Sequence, residues 1–402
     1  MKCLLKLTAL VIAVCFLLTA CSLFPFGASP SPSEEAEPSP EVSDSATPPP
    51  PSVEPTPTPP ESPTPRPTPD NLVLYTGERN YHVFYHFLIA YPELAYSTDY
   101  GRNLDTDCVT PTEFRRSLEE LYKNNFVLYD LNEYYEVQED GTVKSKPIML
   151  PEGKKPLIMS FDDICYYEKN LGRGTCDKVI IDDATGKLAM LTKLDDGSEK
   201  ITYDNDVIPM LEAFCEEFPD FAPFGVKGML CLTGYDGILG YRTQANSPNR
   251  EAEVEAVKPI VQKLTDNGWY FSSHGYGHIH EGTASLAKLK DDADKWEAEV
   301  APLLGNPTIH VFPYGDYANA GLFKGELTDP KMKYLLEDKG FKVLCGVGMM
   351  PFFKLLKTSV FMDRANIDGV SLRRGTHYEG LMDPKYVYCP EERDNRPITW
   401  KP

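Results

Sequence analysis

The sequence is short of positive charge. Its 402 residues carry 40 Lys+Arg against 60 Asp+Glu, a formal net charge of −20 at pH 7. A nucleic-acid binder needs a basic face for phosphates, so this balance argues against one. It argues equally against docking on anionic lipid through charge alone. Cysteine is sparse: ten in the chain are too few for a small disulfide scaffold. The seven from Cys108 onward form no C-x-x-C pair, so neither a zinc ribbon nor a thioredoxin-like motif is indicated. The apolar run from Leu7 to Leu18, broken only by Thr8, is too short to span a bilayer comfortably, which takes about 20 residues. Proline runs the other way. The chain holds 36, too many for one compact fold, so they must be concentrated. Hydrophobic residues at 42% and aromatics at 11% suffice for a globular core.

Lys2 and Lys6 precede the apolar run, which makes residues 1–20 a secretory signal. Leu18-Thr19-Ala20-Cys21 resembles the bacterial lipoprotein signal, in which the cysteine is acylated and becomes the mature N-terminus. The resemblance implies lipidation at Cys21 and an extracytoplasmic chain anchored to a bacterial membrane. Residues 21–70 then read as a stalk. Between Ala28 and Asp70 lie 16 prolines mixed with Ser, Thr and Glu, a composition that cannot bury apolar surface. In polyproline II geometry its reach is at most roughly 130 Å, at about 3.1 Å per residue.

The head, 71–402, alternates apolar strand patterns with helical ones. His82–Leu88, Phe126–Tyr129, Pro156–Phe161, Val226–Leu232, Trp269–Ser273, Thr308–Pro313 and Phe341–Cys345 read as strands. Thr110-Pro111-Thr112-Glu113 opens a helix. Further helices are expected over Asp206–Phe218, Glu251–Asn267, Ala284–Leu304 and Tyr334–Lys339. Two turn signals, Asp182–Gly186 and Asp195–Gly197, mark a β-rich insertion near 169–205. The alternation indicates parallel βαβ units, either as a barrel or as an open sheet. In both, active residues gather where strands end.

Three polar groups stand at such ends. Asp162 and Asp163 follow the strand through Phe161. His274 and His278 follow Ser273. Pro313-Tyr314-Gly315 follows Phe312. Two imidazoles and one carboxylate suit a catalytic metal with open positions. A second carboxylate beside them can take a proton from water.

Ser160-Phe161-Asp162-Asp163, His274-Gly275-Tyr276-Gly277-His278 and Phe312-Pro313-Tyr314-Gly315 resemble, in order, three motifs of the polysaccharide deacetylase family (NodB homology, carbohydrate esterase family four). The resemblance covers most of Phe84 to Val347. It implies a distorted (β/α) barrel and a divalent metal, often zinc, held by Asp163, His274 and His278. Asp162 would be the general base, and the backbone N–H of Tyr314 would help hold the oxyanion. The reaction implied is removal of acetyl groups, as amide or ester, from a cell-envelope or extracellular polysaccharide.

The sequence departs from the family pattern at four places. Ile164 stands where Gly usually follows the aspartates, and Gly275 where a Ser or Thr would brace the histidine loop. Val311-Phe312 replaces the Arg that normally pairs with the base. No Leu-x-x-His near the C-terminus supplies an acid, and the surroundings of His377 do not match. Among the remaining histidines, His86 is the better site candidate. Tyr166, Tyr235, Arg242 and Arg364 are candidates for substrate contact. The alternatives are a non-catalytic carbohydrate-binding lipoprotein on the same scaffold, or an esterase for a small acetylated molecule.

Overall fold

A computed structural model describes residues 66–394, apart from 78–79, 195, 319–321, 325–326, 349–350 and 376–377. The expectations for residues 1–20, for Cys21, for most of the stalk and for His377 fall outside the described residues. No helix among the described residues is long and apolar enough to cross a membrane.

Seven parallel strands close on themselves. They are β1 (Tyr81–His86), β2 (Lys155–Asp162), β3 (Met229–Leu232), β4 (Tyr270–Ser273), β5 (Ile309–Val311), β6 (Val343–Val347) and β7 (Val360–Asn366). Each pairs with the next, and β7 returns to β1 through Ala365–Val83 and Asn366–Phe84. The fold is thus a (β/α) barrel. Its distortion is visible at β2, where the short strand Phe126–Leu128 pairs with the first half and β3 with the second.

Period-two alternation sorts the side chains. Ile158, Met229, Cys231, Tyr270, Ile309, Val311, Val343, Cys345, Val360 and Met362 belong to one cluster that fills the barrel. Their neighbours Leu157, Met159, Phe161, Leu230, Phe271, Leu344 and Phe361 belong to another, under the helices. The alternation also turns His82, Ser160, Asp162 and Arg364 inward. A barrel interior that is apolar below therefore becomes polar towards the strand ends.

The helix Pro111–Lys123 begins where the capping signal stands. The Glu113 amide donates to Thr110 Oγ1 (3.3 Å), and the Thr110 amide donates to Glu113 Oε2 (3.0 Å). The helix expected from Ala284 to Leu304 is shorter, Leu286–Glu299, and gives way to a single 3₁₀ turn at Ala301–Leu303. Pro302 has no amide to continue the α-helical ladder. Between β2 and β3, Lys178–Ile181, Leu188–Lys193 and Glu199–Thr202 form a three-stranded antiparallel sheet. The seven described cysteines are free and buried. On the face where strands begin, Arg66 pairs with Asp130 at 2.6 Å. Arg66 also borders a cleft with Tyr270 and Ile309, the first residues of β4 and β5.

Asp206 caps the helix Val207–Glu217 through the Val207 amide (2.6 Å) and is fully buried. Burial overrides its hydrogen bonds and pushes its carboxyl up to about 7 from 3.8. The folded state thus holds a proton that the unfolded state releases. The stability this confers is complete below the unfolded pKa and is lost as pH rises through the folded one. Between about pH 4 and pH 7, the wild type should therefore lose urea resistance relative to Asp206→Asn. A constant difference between the two midpoints across that range would contradict this.

Candidate metal centre

The C-terminal ends of β2, β4 and β5 bring the sequence motifs to one rim. At each exit the backbone turns through a left-handed residue: Asp163 (φ 59°), Gly275 and His278 (φ 66° and 50°), and Tyr314 (φ 60°). Such conformations are unfavourable for residues with a Cβ and persist only where surrounding contacts impose them.

Asp163, His274 and His278 converge, each offering a donor atom within 4.8 Å of the others. His278 Nε2 lies 3.7 Å from Asp163 Oδ2, and His274 Nε2 lies 3.8 Å from Asp162 Oδ2. His274 Nδ1 lies 2.9 Å from the Val311 carbonyl oxygen. A carbonyl can only accept, so Nδ1 carries the hydrogen and Nε2 keeps its lone pair for the cluster. Burial, outweighing the nearby aspartates, pushes His274 down to about 4, so the ring is neutral near pH 7. Burial also disfavours charge on Asp163. The two imidazoles, His86 and a hydrogen bond from Tyr167 Oη (2.6 Å to Oδ1) overcome that and hold its pKa below the usual range. A neutral imidazole with a free lone pair, a second imidazole and an ionised carboxylate are the donor set that a divalent cation requires.

Asp162 is nearly sealed from solvent. Arg364, itself 1% exposed, reaches it from β7 with two parallel bonds of 2.6 and 2.8 Å. Burial alone would raise the Asp162 carboxyl. The guanidinium, with His274, holds it well below the normal carboxylate range. Arg364 is fixed in turn by Ser160 Oγ (3.2 Å) and the Gly346 carbonyl (3.2 Å), and its guanidinium lies 4.2 Å from the centre of the Phe84 ring. Ser160 Oγ also meets His82 Nε2 at 2.9 Å.

A cavity of about 450 Å³ opens above these groups. His86 borders it, with Nδ1 2.9 Å from the Asp107 carbonyl, and lies within electrostatic reach of both aspartates. Tyr314 stands at the mouth, 59% exposed, its ring stacked on His280 at 4.0 Å.

Of the four substrate-contact candidates, Arg364 borders the cavity and the other three do not. Tyr166 is buried beside Asp206, because its own left-handed backbone (φ 50°) turns the ring into the core. Its neighbour Tyr167 borders the cavity instead. Tyr235 stacks on Tyr167 (4.9 Å between centroids) and does not border the cavity. Arg242 braces a loop by donating to the carbonyls of Asp236 and Tyr166, both at 2.8 Å. Arg364 does border the cavity, but its guanidinium is committed to Asp162.

Breaking a buried ion pair from one side costs about 3–5 kcal/mol, because the other charge is left unpaired. Arg364→Met should lower stability by that amount in urea unfolding. Adding Asp162→Asn to Arg364→Met should recover much of the loss. A double variant no more stable than the single one would rule out the stranded carboxylate as the cause.

No protein-family model and no curated protein matches the chain. Solved structures similar to it include three deacetylases. One is the Streptococcus pyogenes deacetylase PplD in complex with acetate, at 11% identity, covering 74% of this chain and 98% of that one, with a TM-score of 0.38. Another is a polysaccharide deacetylase from Mycobacterium smegmatis, at 14% identity, covering 39% and 44%, with a TM-score of 0.25. The third is the chitin deacetylase of the fungal pathogen Colletotrichum lindemuthianum, at 14% identity, covering 48% and 84%, with a TM-score of 0.20.

Proposed function

We propose that the chain is a metal-dependent deacetylase acting on an acetylated glycan, anchored to a bacterial membrane through a lipidated Cys21. The observation that carries the reading is the meeting of Asp163, His274 and His278 beside a second carboxylate, Asp162, held ionised. Asp163, His274 and His278 would hold a divalent cation, zinc being the expected one. Bound there, the cation supplies Lewis acidity, which makes water a usable nucleophile near neutral pH and polarises an acetyl carbonyl.

The chain's own residues supply the rest. Asp162 accepts the proton that the attacking water loses. Its pairing with Arg364 keeps it ionised and ready to do so. The Tyr314 backbone N–H donates to the developing oxyanion. His86 sits on the cavity wall and gives a proton to the departing sugar nitrogen or oxygen. Acetate is released, and an amine or a hydroxyl remains on the sugar. His86 reaches the cavity from β1, the first strand of the barrel, and would take the place of an acid from the C-terminal region. The exposed Tyr314 ring offers a face on which a sugar can stack.

Two measurements test this reading. Purified protein should contain about one equivalent of a divalent metal and release acetate from acetylated chitooligosaccharides or peptidoglycan. His274→Ala and Asp163→Ala should each lose metal and at least about 100-fold in activity together. Full activity in either variant would refute the ligand assignment, whereas glycan binding without acetate release would favour the non-catalytic alternative. His86→Ala should keep its metal yet lose roughly 100-fold or more in kcat. Loss of metal instead would remove His86 from the acid's role.

A further inference from the structure

The two imidazoles sit on a loop whose backbone is held from outside the barrel. On the helix Leu286–Glu299, Asp292 turns its buried carboxylate toward the loop. Its Oδ2 accepts from the Tyr276 amide at 2.7 Å and its Oδ1 from the Gly277 amide at 2.8 Å. From the other side, the Tyr276 carbonyl accepts the amides of Gly234 and Tyr235 at 2.9 and 3.0 Å. The Gly275 amide donates to Ser273 Oγ at 3.2 Å. That hydroxyl lies 3.1 Å from His310 Nδ1, and His310 Nε2 lies 3.0 Å from Glu281 Oε2. Lys331 Nζ donates to the carbonyls of Glu281, Gly282 and Ala284.

Gly275 is what lets the two carboxylates come this close. It has φ +66°, and a Cβ there would lie 3.0 Å from Asp292 Oδ2 and 3.2 Å from Glu281 Oε1. A side chain at 275 would therefore crowd the carboxylate at 292, which would have to give way by a few tenths of an ångström.

We propose that Asp292 is the positioning residue of the imidazole pair: its carboxylate clamps the Tyr276 and Gly277 amides and thereby fixes the directions of His274 and His278. The Ser273–His310–Glu281 relay holds the same loop from below. Asp292 touches neither imidazole. It acts through two consecutive peptide units, whose orientation sets the left-handed turn at His278 (φ 50°). Removing it leaves the Tyr276 and Gly277 amides, on a half-buried loop, without their acceptor, and frees the loop to shift toward water.

The inference rests on the metal reading above for its consequence, but the clamp itself can be tested without metal. Hydrogen exchange, followed by mass spectrometry on metal-free protein, should show faster exchange of the peptide carrying Tyr276 and Gly277 in Asp292→Ala. Asp291→Ala, at an exposed position on the same helix, should leave it unchanged. Zinc affinity, measured by chelator competition, should fall roughly 10–100-fold in Asp292→Ala, as for the loss of other outer-shell partners. Cobalt(II)-substituted protein should show an altered visible spectrum. Asp292→Asn keeps one acceptor oxygen and should fall between wild type and Ala in each readout. It also decides the matter if the Ala variant does not fold. Unchanged loop exchange in folded Asp292→Ala, or in Asn if only that folds, would overturn the clamp. So would a wild-type zinc affinity and cobalt spectrum in that variant. If wild-type protein binds no zinc, the metal reading fails and the exchange comparison alone decides the clamp.

Discussion

One buried ion pair, Arg364 with Asp162, ties the chemistry to the architecture. Arg364 lies on β7 and Asp162 on β2, with β1 between them. The guanidinium thus reaches across the seam where β7 and β1 share only two paired positions. Neither charge could stay inside the barrel alone, because isolated ions in so dry a place are strongly disfavoured. Together they leave a carboxylate that remains charged and directed at the rim. The polar upper layer of His82, Ser160 and Arg364 exists to satisfy that one group. Closure of the barrel and the charge on Asp162 are consequently a single problem with a single solution.

The rim stores conformational strain in a pattern. Asp163, His278 and Tyr314 all have positive φ, and each is restrained by a partner of a different kind. A phenol holds Asp163, peptide amides and a carboxylate hold the loop of His278, and aromatic contacts with His278 and His280 surround Tyr314. Helix and sheet supply the anchors and the loops supply the directions. This division of labour is common where a rigid frame carries a reactive centre.

Much of this was legible in the sequence, for physical reasons. Strand, turn and helix signals repeat in register, and a parallel barrel sends every strand exit to the same side. Asp162, Asp163, His274 and His278 could therefore be placed on one rim without coordinates. Side-chain direction after the exit could not. Tyr166 and Tyr167 are adjacent and identical, and only a left-handed turn at Tyr166 decides which ring faces the cavity. Arg242 and Tyr235 lie in a Gly-rich loop whose folding back on itself has no periodic signature. Arg364 was recognisable as a strand residue near the site. Its partner was not, because that pairing depends on which strands neighbour each other at the seam.

The barrel has two different poles. Arg66 is bound to Asp130 on the face where the strands begin, and the cavity opens on the face where they end. The two ends of the barrel therefore offer unlike surroundings: a cleft lined by Trp269, Tyr270 and Ile309 at one, and a cavity lined by aspartates and histidines at the other.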